Sequence, residues 1–196
     1  MLKPAETSVA IDPLLAGRWS PRTFDASPLA GDEVTALLEA ARWAASCANA
    51  QPWRFIVGLV GDATHAAILD TLMGFNRPWA DAAPMLVVGV AMVRTPEGKD
   101  WAHGTFDLGA SMTAMTLQAV SLGLVSHQVA GFDVAKAVEA FSIPEGFRPM
   151  SVATIGRLGD VDALPDDAKE REAAPRVRKP LSEIAFTGGW GIPIRP

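Results

Sequence analysis

The 196-residue chain has no tyrosine, three histidines and one cysteine, Cys47. A single cysteine excludes an internal disulfide, and no grouping of Cys and His has the spacing of a zinc site, so no metal is assigned and a reducing, cytoplasmic setting is expected. Side-chain acid–base or nucleophilic chemistry has few candidates in such a composition. Long hydrophobic runs are missing as well. The longest, residues 85–93, is about half of a membrane span, and the first residues, MLKPAETSVAIDPLL, lack the basic stretch and apolar core of a secretory signal. A soluble protein with no membrane partner is the expectation. Positive charge is in deficit: 17 Lys plus Arg against 22 Asp plus Glu leave a net charge of −5, which disfavours a dedicated nucleic-acid binder. Neither GxGxxG nor GxxxxGK followed by Ser or Thr occurs, which argues against the Rossmann-type dinucleotide site and the P-loop.

What the chain has in excess is apolar surface. The hydrophobic residues make up 49%, and the 17 glycines raise the apolar share to about 58%, above the roughly 45–50% of ordinary soluble domains. A length of 196 residues accommodates one substantial core, so a single domain is predicted. Its surplus apolar surface calls for a partner, and a homo-oligomer follows.

Apolar periodicity predicts helices over residues 32–45, 63–73, 101–123 and 134–141, and strands over 53–60, 85–93, 124–129 and 150–157. The run at 85–93 is nearly uninterrupted, as in a strand buried on both faces. The segment 101–123 is apolar almost all round and belongs in a large core or at a subunit interface, with its methionines read as packing. From Gly159 onward the sequence is polar, charged and proline-punctuated, and reads as a surface arm. Alternating helices and strands give an α+β or α/β three-layer domain.

Four polar islands interrupt these segments. In Arg18-Trp19-Ser20-Pro21-Arg22-Thr23-Phe24, two arginines flanking a serine can converge on one anion, or stand as two solvated surface charges. In Ser46-Cys47-Ala48-Asn49-Ala50-Gln51, small residues allow a planar ligand close to the backbone, or the segment is a helix-ending loop with Asn49 left-handed and Cys47 a small buried residue. Gly74-Phe75-Asn76-Arg77 is a polar break that also serves as a helix terminator. Ser126 to Asp133 ends a strand, with Asp133 suited to cap the next helix and His127 either a proton source or a buried, satisfied ring.

In order along the chain, RWSPRTF, ASCANAQPWRFIV, FNR before a proline-led strand, DLGASMTAMTLQAVSLGL, AGFD and RVRKPLSEI resemble the nitroreductase family of FMN enzymes, from about Leu14 to Phe186. The resemblance implies a three-layer α/β/α sandwich with a mostly antiparallel sheet, assembled as an intertwined homodimer. It implies one domain over residues 1–196, with a core at about 14–160 and a C-terminal arm at about 161–196 wrapping the partner.

By the same resemblance Arg18, Trp19 and Ser20 hold the phosphate and ribityl side of FMN, and Arg22 lies near the pyrimidine edge of the ring. Ser46, Cys47, Asn49 and Gln51 approach from the other subunit. Asn76 bonds the pyrimidine edge, the backbone of Ala130 and Gly131 donates toward N5 and O4, and Arg178, with Arg176 in competition, completes the phosphate clamp. The implied reaction is hydride uptake from NADH or NADPH and reduction of nitroaromatics, quinones or similar acceptors by a ping-pong mechanism, with no catalytic side chain required. Reduction of a specific conjugated or aldehydic metabolite, and a non-catalytic flavin-binding dimer, are the alternatives. The chain departs from the family at Ala45-Ser46-Cys47, where relatives often have Pro-Ser-Ser, and at Ala130, where some have Glu.

Overall fold

The computed structural model describes residues 3–164 and 166–194. The outermost residues of the predicted domain and residue 165 of the predicted arm lie outside the described residues. Strand β3 (Met85–Met92) is buried on both faces, as its unbroken apolar run predicts. Its side chains alternate between two cores: Leu86, Val88 and Val90 belong to one, and Met85, Val87 and Ala91 to the other. β2 (Trp53–Leu59) and β5 (Phe147–Leu158) pair with it antiparallel, with Val87 opposite both Val57 and Ala153. β5 also carries β4 (Val125–Val129) and the two-residue β1 (Phe24–Asp25), both antiparallel. A register shift between Gly89 and Val90 precedes Pro149, a residue without an N–H for the ladder.

A sheet with two apolar faces needs cover on both. One face packs against α3 (Ala63–Thr71), α4 (Arg77–Ala80) and α6 (Val134–Ala140) through Ile68, Leu69, Trp79 and Ala137. The other packs against α2 (Gly31–Arg42) and α5 (Gly104–Ser121) through Leu37, Ala41, Leu108, Met112 and Met115. The result is the expected α/β/α sandwich. Local chemistry sets the helix starts: Asp62 accepts the His65 N–H at 2.6 Å and Asp133 the Lys136 N–H at 3.0 Å, each an N-cap. Glu33 reaches back to the Ala30 N–H at 2.7 Å. Ser111 Oγ donates to the Ala41 carbonyl at 2.7 Å, satisfying one of the last carbonyls of α2 and pinning that helix to α5.

Three sequence expectations change. α2 stops at Arg42 and α5 begins at Gly104, both shorter than the periodicity predicts, whereas β5 begins three residues earlier. α5 is not buried all round. Its inward face holds Asp107, Ser111 and Thr116 among the methionines, while Phe106 is 77% exposed. The charged arm contains a helix, α7 (Asp166–Ala173), that its polarity did not announce. Two short helices or turns also flank the site, α1 (Pro13–Gly17) and α4. Among the described residues no helix is long and apolar enough to cross a membrane.

Gly58 marks the closest approach of α3 to the sheet: a Cβ there would lie 2.5 Å from the backbone N and Cα of His65. The substitution Gly58→Ala forces β2 and α3 apart and should lower unfolding free energy by about 1–3 kcal/mol. A urea titration reads this directly; an unchanged midpoint would show that the interface has slack there.

Candidate functional site

The first island and the distant arm meet. Arg18, Trp19, Ser20, Arg22, Arg176 and Arg178 line one cavity of about 250 Å³. Arg18 ends α1, its N–H bonding the Leu14 carbonyl, and its Nη1 donates to Ser20 Oγ at 3.1 Å. Half-burial, followed by the neighbouring Arg176 and Arg178 charges, lowers the Arg18 pKa. Three guanidinium groups separated by up to 160 residues therefore repel one another here, which is the electrostatic signature of an anion site.

The two arm arginines differ in occupation. Arg176 Nη1 donates to the carbonyls of Lys3 and Ala16, at 2.5 and 2.7 Å, and so ties the arm to the N-terminal segment. Among the described residues Arg178 Nη1 bonds its neighbour's carbonyl, that of Val177, and the residue is exposed.

The sequence did not single out Lys3, Arg171 or Glu172, which also line the cavity. Lys3 lies over the Trp19 ring at 5.1 Å, and Glu172 is 3% exposed. Arg171 and Glu172 sit in a charged run that resembles any solvated helix face, and their inward turn depends on α7 docking against Arg22. Lys3 lies in a stretch without periodicity.

The third and fourth islands meet on the same side of the sheet. His127 Nδ1 bonds the Pro21 carbonyl at 2.9 Å, so this nitrogen carries the proton, and the ring stacks on Trp79 at 4.7 Å. The histidine is thus the buried, satisfied ring, and it fastens the RWSPRTF segment to β4. Asn76 is buried and donates Nδ2 to the Gly131 carbonyl at 2.9 Å, which leaves its Oδ1 as an acceptor. A Cβ on Gly131 would lie 2.6 Å from that Nδ2, so glycine is required for the contact. Ala130 is exposed beside it.

The second island stands apart. None of Ser46, Cys47, Asn49 and Gln51 lines the basic cavity. The Cys47 N–H bonds Asp107 of α5 at 3.1 Å, and Ser46 Oγ accepts the Gln51 N–H at 3.0 Å. Ala48, Asn49 and Gln51 all have positive φ, and Asn49 is left-handed as expected. Cys47, however, is exposed and not the small buried residue its size proposed, because this loop rides on the end of α5 and not beneath it.

A family model described as the nitroreductase family matches residues 15–74 and 58–157. An uncharacterized 15.4 kDa protein from the ask 5′ region of Mycolicibacterium smegmatis is 39% identical over 151 residues, covering 72% of this chain and 99% of the relative. A crystal structure described as an oxidoreductase containing FMN is 37% identical, with a TM-score of 0.89 over 94% of both chains. A nitroreductase family protein of Clostridium difficile 630 shares the fold at 24% identity and a TM-score of 0.71, over 90% of this chain and 96% of that one.

Burial, then the Arg22 and Arg18 charges, lower the His127 pKa to about 4. The unfolded chain takes up this proton near pH 6.5 and the folded chain only near 4, so stability is complete above pH 6.5 and falls as pH drops toward 4. The loss amounts to roughly 3 kcal/mol. An imidazole NMR titration should place the midpoint near 4 with a parallel fall in urea midpoint; a midpoint at 6.5 would contradict the buried, neutral ring.

Proposed function

The chain belongs to the nitroreductase family, and from that premise we propose that it is an FMN-dependent oxidoreductase whose donor is NADH or NADPH. The observation that carries the reading is the basic cavity: a chain of net charge −5 gathers Lys3, Arg18, Arg22, Arg176 and Arg178 around one space of about 250 Å³. A phosphate monoester, with nearly two negative charges, is the part of FMN that such a cluster fits. The FMN-containing structure aligned over 94% of the chain supports the same cofactor.

In this reading Arg18 and Ser20 bind the phosphate and ribityl oxygens, with Trp19 as the buried base of the site. Arg178 supplies the second guanidinium, because Arg176 is already engaged with two backbone carbonyls. Arg22 sets a positive charge toward the pyrimidine edge, an environment that raises a flavin's reduction potential. Asn76, oriented by Gly131, offers its free carbonyl oxygen to that edge, and the backbone of Ala130 and Gly131 orients the ring from the β4 side. When bound, FMN supplies the redox chemistry, accepting a hydride from the nicotinamide and reducing a nitroaromatic, quinone or related acceptor in ping-pong order. No side chain of the chain needs to act as nucleophile.

The reading also calls for a homodimer. Ser46, Cys47, Asn49 and Gln51 do not line the basic cavity of their own chain and sit on a loop tied to α5 through Asp107, a placement that accords with their reaching a site on a partner. Phe106 on α5 and Val177, Leu181, Ile184 and Trp190 on the arm are exposed apolar side chains suited to bury against that partner, Trp190 at 94% exposure. This gives residues 161–196 the role of a wrapping arm on a single domain. A cytoplasmic location accords with the exposed Cys47 thiol and with the nicotinamide donors.

The protein purified with FMN should be yellow and should bleach with NADH or NADPH under nitrogen; a protein that fails to take up FMN at any concentration tested would end this reading. Arg18→Ala should weaken FMN binding by about 1.5–3 kcal/mol, more than tenfold. Arg178→Ala should do likewise, while Arg176→Ala should lower stability first. Light scattering should give a dimer, and Phe106→Glu should yield monomers that release the cofactor.

A further inference from the structure

Among the residues lining the basic cavity, Glu172 is the single carboxylate. It is 3% exposed. One oxygen, Oε1, accepts the Arg22 N–H at 3.4 Å. The other, Oε2, lies 3.9 Å from Arg22 Nη1 and is buried without a hydrogen-bond partner among the described residues. An acceptor in that condition is costly unless a donor reaches it. The neighbouring cations already explain the cavity's attraction for anions, so an acid buried among them weakens that attraction unless it does something else.

A carboxylate beside a phosphate dianion is repulsive. One proton between them turns the repulsion into a charge-assisted O–H···O⁻ hydrogen bond, the strong type, and supplies the donor that Oε2 lacks. The second ionisation of a phosphate monoester lies near 6, so such a proton is available close to neutrality. Burial raises the Glu172 pKa, against the pull of the Arg22 N–H and of the Lys3, Arg22 and N-terminal charges.

Resting on the reading of this cavity as the cofactor's phosphate site, we propose that Glu172 shares one proton with the bound phosphate and so selects a protonatable phosphate over a sulfate. Sulfate holds no proton at neutral pH, and it meets the carboxylate as two like charges with nothing between them. The proton balance is explicit: above the free ionisations of both groups, an ionised Glu172 and a phosphate dianion bind with uptake of one proton from solution. Affinity then falls about tenfold for each unit of pH. The other charged groups facing Glu172 are Lys3, Arg18, Arg22, Arg171, Arg176 and Arg178; the chain's N-terminal amine also acts on it electrostatically and is unchanged by substitution at Glu172, and His127, neutral across this range, stands behind Arg22.

The test uses the full chain freed of flavin, titrated calorimetrically with inorganic phosphate and with sulfate between pH 7 and 9, and by fluorescence quenching with FMN and riboflavin. The wild type should prefer phosphate to sulfate by at least tenfold, should take up a proton from buffer on binding it, and should lose FMN affinity with a slope near one. Riboflavin, without phosphate, should show no such slope. Glu172→Gln should bind the two oxyanions alike with a flat profile, and Glu172→Asp should keep part of the discrimination. Equal binding of phosphate and sulfate by the wild type, or discrimination unchanged in Glu172→Gln, overturns the proposal. If phosphate is discriminated with proton uptake while FMN does not bind, the proposal about Glu172 stands and the flavin reading fails.

Discussion

The burial of β3 on both faces is the constraint from which the rest of the molecule follows. With Leu86, Val88 and Val90 on one side and Met85, Val87 and Ala91 on the other, the sheet has no face that water can wet, and helices must cover both. β2 and β5 flank β3, and β5 extends past it to gather β4 and β1. That extension matters for the site. It brings β4, with His127 at its centre, beside the N-terminal segment that leads into β1, so that His127 can hold the Pro21 carbonyl. The basic cavity is thus fixed to the sheet by this imidazole and by the pairing of β1 with β5.

Gathering guanidinium groups runs against their mutual repulsion, and the fold supplies anchors for them. Arg176 spends its donors on the Lys3 and Ala16 carbonyls, holding the arm against α1, and Arg18 leans on Ser20. Glu172, buried beside Arg22, offsets part of the positive charge. Asn76 and Gly131 form a second, uncharged corner, locked by a hydrogen bond that a side chain at Gly131 would block. A basic end and a backbone-lined end suit a ligand with one charged and one planar part.

The surfaces left unsatisfied are consistent in kind. Phe106, Trp43, Val177, Ile184 and Trp190 are exposed apolar side chains on α5, at the end of α2 and along the arm. The loop after α2, with three residues at positive φ, stands on the same helix as Phe106 through Asp107. An apolar share of about 58% in a chain of 196 residues gives a physical reason for such a surface.

Local signals carried the elements whose pattern is local. The apolar run of β3, the cap at Asp133 and the left-handed Asn49 all act within a few residues, and all were legible from sequence alone. So were the motif RWSPRTF and the pair Asn76 and Gly131, because they interrupt apolar segments. What tertiary structure alone decided were the long-range encounters: the divergence of Arg176 from Arg178, the exposure of Cys47, the burial of Glu172, and the neutrality of His127. The physical reason is the same for each. Charge, burial and hydrogen-bond occupancy depend on what stands a few ångströms away, and at these positions a deciding neighbour lies 60 to 173 residues distant along the chain. Only the closed sheet and its two helical layers determine which side chains those neighbours are.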